Sequence, residues 1–429
     1  MRRFTSSIAR WPAPLFATFA GLAGFCAYFS MYAFRKPFAA ATYIDVAGWS
    51  VALDYKTALL IAQVLGYALS KMIGIRIIAE IGRRGRAVAI VGLIGFSWLA
   101  LILFALLPAP WNVACLFLNG LPLGMIWGLV FSYLEGRRTS EVMGALLCAS
   151  FILSSGVVKS VAVLLLHAGV SEAWMPAATG ALFVPLLLLS VWTLEMLPPP
   201  NSRDEAERTI RTPMLRADRA AFLRDHGMAM VLLVLGYVLL TALRDFRDNF
   251  AAEIWIALGH GGEAAVFSNS EIPVAVIALA ALGSLMLVRD NLRALLAMHG
   301  IIVAGALLLG LSTLAFQAHW LTPLNWMILT GAGLYLAYTP FNAVLFDRMI
   351  AAIGKAGNAG FLIYIADASG YAGSVALLLY RSLAAPAMDW LGFYILCAYA
   401  TAVIVGLLTI CSALYFVQRA RRRTAFAGT

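Results

Sequence analysis

Charge is scarce in this chain. Of 429 residues, 12% are charged and 62% are hydrophobic. Soluble globular domains carry about 25% charged residues, so that class is excluded. Cysteine is scarce as well. The five (Cys26, Cys115, Cys148, Cys397 and Cys411) all lie in apolar stretches, and no two form a CxxC pair. That excludes a disulfide framework and leaves packing residues. The five histidines show no pair at metal-ligand spacing, so no metal is expected. G-x-S-x-G, the P-loop and the dinucleotide glycine motif are missing. Neither catalysis, nor an organic cofactor, nor ATP-driven pumping has support, and the chain reads as a non-enzyme.

What the chain does have is apolar runs long enough to cross about 30 Å of hydrocarbon, from end to end. Only helices or closed barrels can span, and unbroken apolar runs mean helices. Twelve spans are expected, at about 14–43, 54–78, 87–107, 113–133, 142–167, 177–197, 228–248, 264–287, 295–316, 324–346, 359–380 and 390–417. The first is long, with Pro37 a kink point. The opening MRRFTSSIARWPAPLF has basic flanks like a signal peptide. The apolar run after it is too long for a signal h-region, so it reads as the first span. One long polar segment stands out, PPPNSRDEAERTIRTPMLRADRAAFLRD. It divides the chain into a six-helix bundle (1–197), a linker (198–226) with room for a short surface helix, and a second six-helix bundle (227–429).

The net charge of +10 does not point to nucleic acid. The basic residues gather in loops on one side: Arg2, Arg3 and Arg10; Arg83, Arg84 and Arg86; Arg137 and Arg138; six arginines in the linker; Arg289 and Arg293; Arg348 and Lys355; and Arg419 with 421–423. The opposite side has Lys56 and Arg381. By the positive-inside rule both termini and the linker are cytoplasmic. The expectation is a multi-pass, monomeric protein of the cell's inner (plasma) membrane.

Against this background the cations inside apolar runs need a reason. Arg35 and Lys36 sit in MYAFRKPFAAATY. A related string recurs at DFRDNFAAEIW, which places Arg247 opposite Arg35. Two related halves contributing equivalent cations suggest one shared site. Lys71 lies inside the second expected span. Lys159 lies deep in the fifth with no local acid; it either binds an anionic substrate or pairs with Asp367, the one acid deep in the eleventh. Asp367 is alternatively a proton carrier. Arg35 and Arg247 have a rival reading, as ion pairs with Asp45, Asp245 or Asp248 or as cations snorkelling to the outer interface. Glu271 lies early in the eighth span, near that interface. Tyr32, Tyr338, Tyr364 and Tyr371 offer hydroxyls, or simply pack. Ser154, Ser155 and Gly156, and the small residues of 366–373, let helices approach closely.

Six spans, a cytoplasmic linker and six more spans, with an echo between halves, resemble the major facilitator architecture. Several stretches are similar to one branch of it, the organophosphate:phosphate antiporters. They are Tyr32-Ala-Phe-Arg35-Lys36-Pro-Phe38, Gly66-Tyr67-Ala-Leu-Ser70-Lys71-Met-Ile-Gly74 and Gly370-Tyr371-Ala372-Gly373-Ser374, with weaker likeness at Tyr338-Thr-Pro340 and Ala356 to Phe361. The resemblance implies a phosphate-binding arginine at Arg35 and a second at Arg244, where Leu243-Arg244 fits the seventh-helix pattern and Phe250 replaces its tryptophan. The internal echo says Arg247 instead, and the two stay open. Ser150 stands where glycerol-3-phosphate members have a histidine. The loop GIRIIAEIGRRGR departs from the facilitator pattern, with Glu80 one residue nearer the glycine.

The implied activity is exchange of a phosphate ester for inorganic phosphate, with Arg35 and Arg244 or Arg247 holding the phosphate. Arginine's planar fork bonds two oxygens at once. Lys71 and Lys159 add positive potential, while Tyr32, Tyr338 and Asp367 read the organic part. Two alternatives differ in class: a proton-coupled symporter of a carboxylate or other small anion, and a sensor that binds a phosphorylated ligand without moving it.

Overall fold

The computed structural model describes residues 7, 8, 10–137, 139–200, 204, 216–288, 290–343, 345–353, 359–385 and 387–427. Arg2, Arg3, Arg138, Arg289, Lys355, residues 356–358 and most of the linker lie outside the described residues. Helices and their connections make up the described chain, with no strand among those residues. They are α1 (Ala13–Tyr32), α2 (Tyr55–Glu80), α3 (Arg83–Leu106), α4 (Asn112–Leu123), α5 (Ile126–Leu134), α6 (Ser140–His167) and α7 (Met175–Glu195). Then come α8 (Arg216–Asn249), α9 (Ala251–Ala257), α10 (Ala264–Met286), α11 (Asn291–Gln317), α12 (Pro323–Ala343), α13 (Leu345–Ile353), α14 (Ala359–Leu383) and α15 (Trp390–Ala427).

Ten of the described helical segments are long and apolar enough to cross a membrane, or eleven if α12 and α13 form one broken span. Each of the twelve expected spans falls on a helix or a helix pair. The fourth is α4 and α5 together, interrupted after Pro122. The chain is an all-α, multi-pass membrane protein. The helices form because apolar side chains face hydrocarbon while each backbone N–H and C=O is satisfied within its own segment.

The chain falls into two compact units. The first comprises Met1–Thr209, Arg247–Ala275 and Leu378–Leu391. The second comprises Ile210–Phe246, Val276–Leu377 and Gly392–Thr429. In the first, α1 packs on α6 and α7, and α4 packs on α2 and α3. Phe34, Phe38, Phe104 and Trp255 are fully buried there. In the second, α11 packs along α12. Trp326 stacks on Phe316 at 4.2 Å between ring centroids and meets Tyr394 at 5.5 Å.

Three expectations need correction. The first span does not run as a kinked helix to residue 43. α1 stops at Tyr32, a turn carries Phe34 to Lys36, and a short 3-10 helix follows at Pro37–Ala40. Pro37 has no N–H to return to the Ala33 carbonyl, so α1 cannot continue through it. Lys56 and Arg381, read as loop cations, are helical and buried, at 1% and 7% exposure. The polar linker is also shorter than expected, because its end is already the first turns of α8.

Candidate functional site

A helix that stops inside a membrane leaves carbonyls without partners, and these must be satisfied by side chains. After α1 two amides do this. Asn119 Nδ2 donates to the Phe34 carbonyl at 2.9 Å, and Gln63 Nε2 donates to the Arg35 carbonyl at 3.0 Å. Gln63 also donates to Asn119 Oδ1 at 2.7 Å, and Asn119 to Ser97 Oγ at 2.6 Å. Further on, Lys56 Nζ donates to the Ala39 carbonyl at 3.0 Å. The unwound segment is thus held by α2, α3 and α4 together.

Arg35 leaves this segment with its guanidinium over the Tyr67 ring, at 3.9 Å from the centroid, and 5.8 Å from that of Tyr32. Lys71 Nζ lies 5.5 Å from the same Tyr67 centroid. Two sequence candidates, Arg35 and Lys71, therefore meet on Tyr67, and a third, Tyr32, borders the Arg35 guanidinium. Guanidinium on an aromatic face is attracted by the ring quadrupole, and its N–H edge stays in its own plane.

Three buried carboxylates stand among lysines and an arginine in the same unit. Asp248 takes two cations: Lys36 pairs with Oδ2, and Lys159 donates to Oδ1 at 2.6 Å. Ser155 Oγ donates to the same Oδ1, and Lys36 also donates to Asn249 Oδ1 at 2.7 Å. Glu253 accepts from Lys56 at 2.6 and 2.8 Å. Burial pushes the Glu253 carboxyl above its ordinary value, against the pull of the Lys56 ammonium. Glu271 accepts from Arg247 Nη1 at 2.6 Å. Among the described residues, Lys36, Lys56, Lys159 and Arg247 are thus each matched to one of these three carboxylates. Gly156 makes the geometry possible. A Cβ there would sit 2.5 Å from the Phe267 carbonyl, so α6 and α10 touch backbone to side-chain stem.

Here the sequence reading is corrected. Lys159 has an acid, Asp248, where the alternatives were a bound anion or a pair with Asp367. Glu271 is buried and paired rather than interfacial. Arg247 has Glu271, a partner not among the acids considered for it. Ser150, in the histidine's place, donates to Leu147 O of its own helix at 2.6 Å.

The second unit has a cluster of its own. Arg244 lies over the Tyr338 ring at 4.1 Å from the centroid, and its Nε and Nη2 donate to Asp245 Oδ1 at 3.2 and 2.7 Å. Ser374 of α14 donates to Asp245 Oδ2 at 2.8 Å. Tyr237 hydroxyl donates to Asp367 at 2.6 Å, and its ring stacks on Tyr338 at 5.3 Å. A Cβ on Gly373 would come within 2.4 Å of Val238 Cγ1. This explains the small residues of α14: they let it lie against α8 closely enough for these two hydrogen bonds. The arginine with a stacked, Arg35-like setting is therefore Arg244.

Sequence reasoning missed Gln63, Asn119, Tyr67, Tyr237, Lys56 and Glu253. Some signals were present. Gln63 and Asn119 are amides in apolar spans, which is costly without a task. Tyr28 precedes Arg35 by seven residues, as Tyr237 precedes Arg244. Among the described residues no group of three or more His, Cys, Asp or Glu side chains is placed to hold a metal ion.

Comparison with solved structures shows the class of fold, that of the major facilitator transporters. A nucleoside transporter, NupG, is 13% identical with a TM-score of 0.61, covering 92% of this chain and 98% of its own. A bacterial homologue of the human drug peptide transporters PepT1 and PepT2 is 13% identical with a TM-score of 0.60, covering 95% and 99%. A D-xylose-proton symporter is 15% identical with a TM-score of 0.58, covering 93% and 96%. Residues 37–419 match a family of unknown function, DUF5690, and the chain belongs to that family. No curated protein sequence matches it.

Proposed function

We propose that the protein is a secondary transporter of a small organic anion, working by alternating access. The substrate we infer is a phosphate ester exchanged for inorganic phosphate. The observation that carries this is Arg35: its guanidinium lies on the Tyr67 ring, with the Lys71 ammonium at the same ring. Two cations set at one aromatic ring suit an anion, and arginine's planar fork can bond two of its oxygens at once. Arg244 is the counterpart in the second unit, by its own stacking on Tyr338. The solved structures of similar fold are a nucleoside transporter, a homologue of peptide transporters and a D-xylose-proton symporter, which supports the transporter class. The reading places both termini on the cytoplasmic side of a plasma membrane and treats the protein as a monomer.

Counterflow in liposomes tests it. Purified protein is reconstituted with internal phosphate, and uptake of labelled phosphate is measured against external phosphate esters and carboxylates. Exchange that stops in Arg35→Lys is expected, because lysine keeps the charge and loses the fork. Exchange at wild-type rate in that variant would sink the reading.

A second reading rests on Asp367, whose carboxylate accepts from Tyr237. It is proton-coupled symport of a carboxylate, with Asp367 as the proton carrier. Uptake driven by an inward proton gradient, indifferent to internal phosphate and lost in Asp367→Asn, would favour it over exchange.

A further inference from the structure

The second unit sets charges of both signs on one pair of stacked rings. Arg244 of α8 lies on Tyr338 of α12, Tyr338 stacks on Tyr237 of α8, and the Tyr237 hydroxyl donates to Asp367 of α14 at 2.6 Å. A guanidinium and a carboxylate thus flank the two tyrosines. The ion pair of Arg244 is with its chain neighbour Asp245, at 2.7 Å. Charges inside membrane segments are costly, and each marks a task.

Three polar groups beside these rings have bonds still to make. Arg244 uses Nε and Nη2 on Asp245, and among the described residues its Nη1 has no acceptor. Asn342 of α12 has its Oδ1 3.3 Å from the Tyr237 hydroxyl, while its Nδ2 is buried without a hydrogen-bond partner. Turning the amide over would only exchange which end is spare. Thr241, one turn on from Tyr237 along α8, has a buried Oγ1 without a partner as well. Buried groups left unmade favour a bound molecule that completes them. The acid end has a fixed polarity. Tyr237 has one proton and gives it to Asp367, so its oxygen accepts, and the Tyr338 hydroxyl at 3.2 Å is placed to donate to it. The hydroxyl donations run toward the carboxylate, as suits an ionised acid.

We propose that the second unit recognises a zwitterion, so that the organic part of the substrate carries a primary ammonium. Arg244 Nη1 takes a phosphate oxygen, Asp367 accepts from the ammonium, and the spare end of Asn342 bonds the group between them. The inference rests on the reading of Arg244 as a phosphate-binding residue. The chemistry selects an aminoalkyl phosphate over a plain alkyl phosphate, which brings no charge to Asp367. It discriminates against a trimethylammonium, which has no N–H to donate, and against a second anionic group, which the carboxylate repels.

The test reads binding first, by isothermal titration of the full chain in detergent with O-phosphoethanolamine, ethyl phosphate and O-phosphocholine. Wild type is expected to bind O-phosphoethanolamine about tenfold tighter than ethyl phosphate, the worth of one charge-assisted hydrogen bond, and tighter than O-phosphocholine. Asp367→Asn keeps the shape and loses the charge, and is expected to bring the ratio of the first two affinities close to one. Equal affinities in wild type overturn the proposal without any variant. So does a ratio that Asp367→Asn leaves unchanged. Counterflow in liposomes then separates this inference from the exchange reading. Preferred binding of O-phosphoethanolamine with no exchange for internal phosphate would remove exchange and leave ammonium recognition standing. Phosphate exchange for which O-phosphoethanolamine and ethyl phosphate compete equally would remove ammonium recognition alone. Failure of all three esters to bind would remove both.

Discussion

Lys159 reaches Asp248 twice: its ammonium donates to the carboxylate and to the main-chain carbonyl, each at 2.6 Å. The same carboxylate also pairs with Lys36. One acid thus pairs with two buried cations, and substitutions on the two sides of the pair are unequal. Breaking a buried pair from one side costs about 3–5 kcal/mol. Asp248→Asn leaves two cations uncompensated, whereas Lys159→Met leaves the Lys36 pair intact. Thermal unfolding in detergent should show the larger loss in Asp248→Asn. An equal or smaller loss would mean that Lys36 has other compensation.

Arg244 and Arg247 separate by the same logic. Arg247→Gln should destabilise by leaving Glu271 buried alone, and Arg247→Gln/Glu271→Gln should recover much of the loss. Counterflow by that double variant should persist. Arg244→Lys should melt near wild type yet lose exchange, because lysine cannot present a fork from the Tyr338 face. The opposite pattern would hand the site role to Arg247.

Asn119 offers a test of the unwound segment. Asn119→Leu keeps the volume and removes the donor to the Phe34 carbonyl, at a cost of about 1–3 kcal/mol for a buried group left unmade. Gln63→Leu should do the same at Arg35. Melting curves of the two variants check this, and neutrality in both would show that the turn satisfies its carbonyls otherwise.

Lys56→Met predicts a pH dependence. Burial already holds the Glu253 carboxyl above its ordinary value, and Lys56 opposes that. Without the lysine the folded value rises further. A carboxyl with a folded value above its unfolded one weakens the fold as pH climbs from the unfolded value through the folded one. Melting of Lys56→Met should therefore rise as pH is lowered from neutral toward the unfolded value, more steeply than in wild type. A flat profile would mean that water reaches Glu253.

Much of the fold was legible in the sequence, because a membrane span announces itself by length and apolarity alone. Arg35, Lys71 and Lys159 were legible for the complementary reason: a charge in hydrocarbon is conspicuous. Their partners were not. Asp248 and Glu253 lie at and just past the end of α8, where an acid looks like any loop residue, and only tertiary packing brings them to lysines on α2 and α6. Lys56 was misjudged because it stands in the first turn of α2, where sequence does not tell a cation facing water from one turned inward. Gln63 and Asn119 carry no charge, so their signal, an amide in an apolar span, is fainter than that of a cation. The choice between Arg244 and Arg247 rested on which alignment of the repeat to prefer, and their surroundings distinguish them where spacing did not.

The break after Tyr32 decides which helices own the arginine. Arg35 follows α1 in the chain, yet its carbonyl is gripped by Gln63 of α2, that of Phe34 by Asn119 of α4, and its guanidinium lies on Tyr67 of α2. Mechanically it is a passenger of α2 and α4. A tilt or slide of α1 would be taken up in the turn at Ala33 while the guanidinium kept its station, so substitutions along α1 should alter how the unit moves and leave anion affinity largely untouched.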